Sequence, residues 1–533
     1  MKLVHLLGAT LVAGAPLVVR AQTPASGERP ALLVLITVDQ FRGDYLDRFG
    51  SQLTGGLARF RTQSALFTHA WQDHAIPETA PGHSTLLSGR EPVHTGILDN
   101  SLGVYDPEMT LLGGVAGPGA SPRRFAGTEL FDWMTARDSK ARVLSVSRKD
   151  RGAILPVGRT KGNVYWFGLG GFTTSKYYAD TLPSWVNTFD ASIPYDQLAG
   201  KEWNLLLPAD QYPELDSVPA EAGGGSVVFP HILPSADALR SSLLAYPWMD
   251  SVTLAFALDG VHTLGIGKRA LESSDRNTMP DLLSISLSTT DAVGHAFGPD
   301  SREIHDQVLR LDRWLGAFLD SLQHQVPANR MLLVLTSDHG ISSLPELTVA
   351  RTGTGGRVWL GDVAHSVEQS LEERYHTQFS IEFESGLFYA DVNALKAHKV
   401  NIDSLSDVIL AESMTEPGVR IGFTPRTLAL STDSGAVRWR RTIPARLGWL
   451  AALVAKDGFI WSARNVAAEH GTPNADDLSI PIAFMGPGIA PARYDRLVRS
   501  VDIAPTLAKL LGISPSEMLD GVPIEEVLSR SPK

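Results

Sequence analysis

The run Ala31–Val38 (ALLVLITV) constrains the fold most, because it offers no polar face to solvent. A strand of that kind must be buried on both sides, which happens in parallel sheets covered by helices. Asp39 follows at its C-terminal end. The pattern recurs along the chain. Val143–Val146 leads into Ser147-Arg148-Lys149, Leu282–Leu287 into Thr290-Asp291, Met331–Leu335 into Ser337-Asp338-His339, and Ile480–Met485 into Gly486-Pro487-Gly488. Helical periodicity lies between these runs. Ser301–Gln323 carries Val308, Leu311, Leu315 and Leu319 at three-to-four-residue spacing. Asp502–Leu511 has Pro505 in its first turn and Gly512 just past its end. The expected class is α/β, a mostly parallel central sheet flanked by helices. Such sheets bind ligands outside the C-terminal ends of their strands, where the polar residues collect here.

Two segments break the rhythm. Residues 160–245 are rich in aromatics, Pro and Gly, and residues 345–460 carry short alternating stretches that read as strands, including Val437–Arg441 and Gly458–Trp461. Both are expected to be insertions forming caps or a side subdomain on one catalytic domain spanning 22–533. Arg438, Arg440, Arg441 and Arg446 read as a solvated hairpin face or, alternatively, an anion patch. At the start, Lys2, an apolar stretch Leu3–Val19 and Val19-Arg20-Ala21 read as a Sec-type signal over residues 1–21, expected to be cleaved after Ala21, with a retained anchor as the alternative reading. Gly8, Gly14 and Pro16 interrupt that stretch, which is short for a membrane span. Export to a periplasm is the expectation, without stable membrane association.

The formal net charge is −11, and removal of Lys2 and Arg20 takes it to −13. Nucleic-acid binders carry a basic footprint, so nucleic acid is not expected as a partner. The chain has no cysteine, which excludes disulfides, thiol catalysis and thiolate-bound zinc. Any metal must be held by His, Asp and Glu.

Those residues stand at the strand ends: Asp39; Asp291 and His295 in DAVGH; Asp338 and His339 in SDHG; His470 in EHGTPN. Taken singly, an Asp after a strand is a helix cap or turn residue, and a lone His is a satisfied core or surface group. Together, three carboxylates and three imidazoles suit two zinc-like ions. Two ions about 4 Å apart stabilise the attacking and leaving oxygens of a phosphoryl displacement. Spacing alone leaves both readings open. Thr79, in ETAPGHST, sits near a predicted helix N-terminus, where an anion is favoured. It reads either as a cap or as a nucleophile.

The segments VDQ, ETAPGHSTLLSGREPVHTGILDN, SRKDR, TTDAVGH, TSDHG, EHGTPN and DIAPTLAKLLGI occur in this order. Together they closely resemble the alkaline phosphatase superfamily, and within it the threonine-nucleophile, PafA-type periplasmic phosphatases. FTTSKYYADTLPSWVNTF also looks like that group. The resemblance spans residues 31–525. It implies that Asp291, His295 and His470 bind a first zinc, and that Asp39, Asp338 and His339 bind a second together with the Thr79 oxygen. It implies Thr79 as nucleophile, Asn100 as donor to a phosphoryl oxygen, and Lys149 and Arg151 as the pair that grips the remaining oxygens. The implied activity is two-zinc hydrolysis of small-molecule phosphate monoesters through a phosphothreonine. His69, His74, His83 and His94 are expected to be structural.

Three rival readings share parts of this pattern. A phosphodiesterase or nucleotide pyrophosphatase on the same scaffold would share the ligands and Thr79, but Lys149-Asp150-Arg151 suits the three free oxygens of a monoester. A sulfatase would need Cys or Ser at the nucleophile position, which holds Thr79. A catalytically dead metal-binding protein would have no use for Thr79, Asn100, Lys149 and Arg151. Lys149 and Arg151 are expected on an extended segment, where a spacing of two points both side chains the same way.

Overall fold

The computed structural model describes residues 29–221, 226–462 and 467–529, so the predicted export signal lies outside the described residues. The first strands are β1 (Leu32–Val38), β2 (Ala65–Trp71), β3 (Val143–Ser147), β4 (Asn163–Gly168), β5 (Gly171–Thr173), β6 (Asp281–Leu287) and β7 (Met331–Thr336). A second group follows: β8 (Ile381–Glu384), β9 (Leu387–Ala390), β10 (Val419–Phe423) and β11 (Trp449–Ala455). The last are β12 (Ser479–Met485), β13 (Ala492–Tyr494) and β14 (Val498–Arg499). Among the described residues the central sheet has ten strands, in the order β13-β2-β12-β7-β1-β6-β3-β4-β5, with β14 also beside β2. The pairs β1–β6, β1–β7, β3–β6 and β3–β4 are parallel.

β1 is buried on both faces, as its composition demands. Leu32, Val34, Ile36 and Val38 enter one core, and Leu33 and Leu35 enter the other. The helices that frame the site are α1 (Thr79–Leu86), α2 (Asp150–Ile154), α3 (Trp248–Leu264), α4 (Thr289–Phe297), α5 (Arg302–Gln323), α6 (Ser434–Thr442), α7 (Ala475–Leu478) and α8 (Ile503–Leu511). Apolar side chains of α3 and α5 fill the first core, and those of α1, α2 and α8 fill the second. The ends of α5 and α8 match the sequence signals. Ser301 accepts the Ile304 N–H at the start of α5, and Gly512 is left-handed (φ 68°) after α8.

Register gathers the polar strand ends. Val38 aligns with Leu287, Thr37 with Thr336, and Ser147 with Ser286. Asp39, Ser288, Ser337 and Arg148 therefore emerge at one edge of the sheet. Ile480–Met485 departs from the expectation. It lies within β12, which is antiparallel to both β2 and β7. Its start, not its end, faces the polar edge, and Gly486-Pro487-Gly488 turns at the opposite edge.

The 160–245 segment is not wholly peripheral, because β4 and β5 continue the central sheet. The 345–460 segment holds a separate antiparallel sheet in the order β8-β9-β11-β10. Val437–Arg441 is a helix, α6, rather than the strand expected from its alternation. The Asp433 carboxylate caps it at the Gly435 N–H, 2.7 Å, and the wholly buried Trp439 donates Nε1–H to the Leu453 carbonyl, 3.0 Å. Arg438 and Arg441, three apart on one face, both reach Asp73. Arg440 donates to the carbonyls of Leu428 and Ser431. Gly458–Trp461 does supply a short strand, Phe459–Trp461. Among the described residues no helix is long and apolar enough to cross a membrane.

Candidate metal and nucleophile site

The polar edge assembles two donor groups. Asp291, His295 and His470 form one, and Asp39, Asp338 and His339 form the other, with donor atoms within 4.8 Å of one another in each. Asp39 and Asp338 leave the ends of β1 and β7 directly. Asp291 and His295 stand four apart on α4, which places both on one face. His470 comes from the loop before α7.

All three imidazoles are oriented by the backbone. Nδ1–H donates to a carbonyl in each case: His295 to Ala468 at 3.0 Å, His339 to Gly340 at 2.9 Å and His470 to Pro77 at 3.0 Å. A carbonyl only accepts, so Nδ1 carries a proton and Nε2 is the ring nitrogen left to face the carboxylates, with a lone pair there in the neutral ring. Nε2 of His295 lies 3.3 Å from Asp291, and Nε2 of His339 lies 3.4 Å from Asp39. Asp39 Oδ1 and His339 Nε2 are buried and make no hydrogen bond. Buried, converging and unsatisfied donors of this kind fit divalent cations, and a set of three carboxylates and three imidazoles without thiolate suits zinc or its neighbours in the first transition row.

Electrostatics agree with that fit. Burial opposes a proton on His295, but Asp291 overrides it and carries the imidazole up to about 9. Burial likewise opposes a proton on His339, and Asp338 and Asp39 carry it up to about 9. Burial and Asp291 push the Asp39 carboxyl up, yet Lys149 and His339 hold it well below the carboxylate range. The carboxylates thus hold protons on two of the imidazoles, and a divalent cation at Nε2 would take the place of those protons.

Thr79 opens α1, and Glu78 occupies its N-cap position without a side-chain cap bond. The Thr79 hydroxyl therefore does not cap the helix. It accepts from Lys149 Nζ at 3.0 Å. The same ammonium lies 2.7 Å from Asp39 and 2.7 Å from Asp291, one carboxylate of each donor group. Asn100 Oδ1 accepts the Ala80 N–H at 2.9 Å, which fixes the amide and leaves Nδ2 as its donor end.

Arg151 departs from the expectation. Lys149 is the extended N-cap of α2, and Arg151 lies in the first turn of that helix, so the two are not alternate residues of one strand. Arg151 Nη1 sits 3.6 Å from Asp150, its Nε is buried without a hydrogen-bond partner, and among the described residues no hydrogen bond or ion pair joins it to Thr79 or to the donor groups.

Three neighbours were not singled out as site residues. Gln40, left-handed at φ 62°, gives its backbone N–H to Asp338 (3.1 Å) and its side-chain amide to Asp291 (3.0 Å), bridging the groups. His83, expected to be structural, braces the site: Nδ1 lies 2.9 Å from the Thr79 carbonyl and 3.0 Å from Asp338, and Nε2 lies 3.0 Å from Ser286 Oγ. Glu78 accepts the Asn100 N–H at 3.0 Å and the Ser385 hydroxyl at 2.5 Å. Only adjacency to a motif residue marked Gln40 and Glu78, and adjacency alone does not assign a role. His94 pairs with Asp520 at 2.7 Å, away from the site.

A family model described as type I phosphodiesterase / nucleotide pyrophosphatase matches residues 33–407. The chain is 31% identical to alkaline phosphatase PafA of Elizabethkingia meningoseptica, across 98% of this chain and 99% of that protein. It is 30% identical to alkaline phosphatase PhoV of Synechococcus elongatus, across 92% and 91% respectively. The crystal structure of wild-type alkaline phosphatase PafA aligns with a TM-score of 0.83 at 28% identity, covering 94% of this chain and 99% of that one.

Proposed function

The chain belongs to the type I phosphodiesterase / nucleotide pyrophosphatase family, and from that premise we propose that it is an alkaline phosphatase. It hydrolyses small-molecule phosphate monoesters to an alcohol and inorganic phosphate through a phosphothreonine at Thr79. Asp291, His295 and His470 would hold one zinc ion, and Asp39, Asp338 and His339 the other. Ions at those positions supply Lewis acidity and positive charge that offsets the substrate's own. The remaining chemistry belongs to the chain. Thr79 Oγ1 forms a bond to phosphorus as the ester P–O bond breaks. Water then cleaves the Thr79–phosphorus bond and restores the hydroxyl. Asn100 Nδ2 donates to a phosphoryl oxygen, and Lys149 opposes the charge of the dianion.

The observation that carries this reading is the Lys149 ammonium. It contacts Thr79 and one carboxylate of each donor group, which supports a positive charge beside the hydroxyl able to offset a doubly charged phosphoryl group. A diester carries one charge fewer and gains less from it. The test compares kcat/KM for p-nitrophenyl phosphate and bis(p-nitrophenyl) phosphate, with and without chelator, in wild type and Lys149→Ala/Arg151→Ala. The monoester should lose about 10²–10³-fold in the variant and the diester much less. Equal losses favour the phosphodiesterase reading, and full activity of metal-free protein refutes the metal site. Export is the companion proposal: mass spectrometry of the periplasmic protein should show Gln22 at the N-terminus, and an intact Met1 in membrane fractions refutes it.

A further inference from the structure

The two donor groups are tied together by a residue that belongs to neither. Asp477 lies in the one-turn helix α7 and is wholly buried. Its Oδ2 accepts the Thr472 N–H at 2.9 Å and the Thr472 hydroxyl at 2.6 Å. Its Oδ1 accepts the Ser342 hydroxyl at 2.7 Å, and its backbone carbonyl accepts the Gly340 N–H at 2.7 Å. Thr472 stands two residues after His470, while Gly340 and Ser342 stand one and three residues after His339. One residue therefore fixes the His470 loop of the first group and the Asp338-His339 loop of the second. The seat is tight, since a Cβ on Gly340 would lie 2.8 Å from the Ser479 carbonyl. Ser479 begins β12, which is held between β2 and β7, so Asp477 is anchored to the sheet itself.

We propose that Asp477 is a positioning residue that couples the two ion sites, holding the His470 and His339 loops at one mutual spacing so that both ions bind tightly. The inference rests on the two-zinc reading above. It follows from chemistry on both sides of the carboxylate. An ionised Asp accepts all three side-chain bonds at once, and among the described residues no other side chain is hydrogen-bonded to both loops in this way. If the carboxylate is lost, each loop loses its side-chain anchor, leaving only the Gly340 N–H bond to the Asp477 backbone carbonyl, and each ligand histidine is less well aimed. Loss of an outer-shell partner typically costs 10–100-fold in metal affinity. Asp477 pays that cost twice, because it serves two loops.

The test measures both stepwise zinc constants by titrating the chelated full-length protein against a chromophoric competitor, with metal content per chain as a second readout. Asp477→Ala should weaken both constants by about 10–100-fold each. Thr472→Val and Ser342→Ala should each weaken one. Asp477→Asn keeps an acceptor for the Thr472 N–H and offers its amide to a hydroxyl, so it should recover part of the loss. It also serves if Asp477→Ala does not fold. At limiting zinc kcat should fall in these variants while KM holds, and excess zinc should restore kcat, which a general loss of folding would not allow. If wild type takes up two ions and Asp477→Ala and Asp477→Asn leave either constant unchanged, the coupling role is wrong. If wild type does not take up two ions, the two-zinc reading fails and this inference with it.

Discussion

Thr79 is where local sequence said least and the fold says most. A threonine at a helix start is ordinarily a cap, and only the approach of Lys149 from a segment 70 residues away gives its hydroxyl another partner. Its substitution separates chemistry from metal binding. Thr79→Ala should cut kcat by at least about 10³-fold, as loss of a nucleophile does. It should retain two ions, because Asp39, Asp338 and His339 remain. Thr79→Ser keeps the oxygen and should retain substantial turnover. Steady-state rates beside metal analysis check this, and near wild-type turnover in Thr79→Ala excludes a covalent phosphothreonine. The six donors were legible because each follows a strand end or stands in a motif. Gln40, His83 and Asp477 were not, since each has a deciding partner far off in sequence (Asp291 is 251 residues from Gln40, and Ser342 is 135 from Asp477) and only strand register brings them together.

Elements were legible where one periodicity dominated. β1 has a single reading, and α5 has caps and spacing that agree. The 434–442 helix was misread because Val-Arg-Trp-Arg alternates like a strand, and its helical logic depends on Asp73, a residue remote in sequence that receives Arg438 and Arg441. The direction of β12 was likewise hidden, because an apolar run does not record which way its neighbours point. Helix placement also sets the metal donors. Asp250 on α3 accepts the Thr289 N–H (3.1 Å), the Thr289 hydroxyl (2.8 Å) and the Gln307 amide (2.8 Å), and so anchors the start of α4, which carries Asp291 and His295. Asp250→Ala should strand these buried donors and cost about 1–3 kcal/mol. Ser301→Ala at the start of α5, which removes one cap bond, should cost about 1 kcal/mol. Urea unfolding of both variants checks the ranking, and a smaller loss for Asp250→Ala would contradict it.

At the scale of the whole molecule, one buried carboxyl ties distant stretches together at an energetic cost that depends on pH. Glu91 is 2% exposed, with one oxygen 3.3 Å from Arg499 and the other without a hydrogen bond. Arg441, from α6, lies beside the same cleft. Burial pushes the Glu91 carboxyl up to about 8, against the pull of Arg441 and Arg499. In the unfolded chain the group titrates in the ordinary range, near 4.5. Between those values the folded protein binds more protons than the unfolded one, so the contribution of Glu91 to stability declines as pH rises from about 4.5 to about 8 and is constant above that. Above about pH 8 the folded protein carries the full cost. Glu91→Gln keeps an acceptor for Arg499 and removes the ionisation. Its Tm should match wild type near pH 4.5 and exceed it at pH 9, with the difference opening between those values. The comparison is a difference of two Tm curves, which cancels the other titrating groups. If the curves run parallel from pH 4.5 to 9, Glu91 does not ionise in that range and burial does not set its proton affinity.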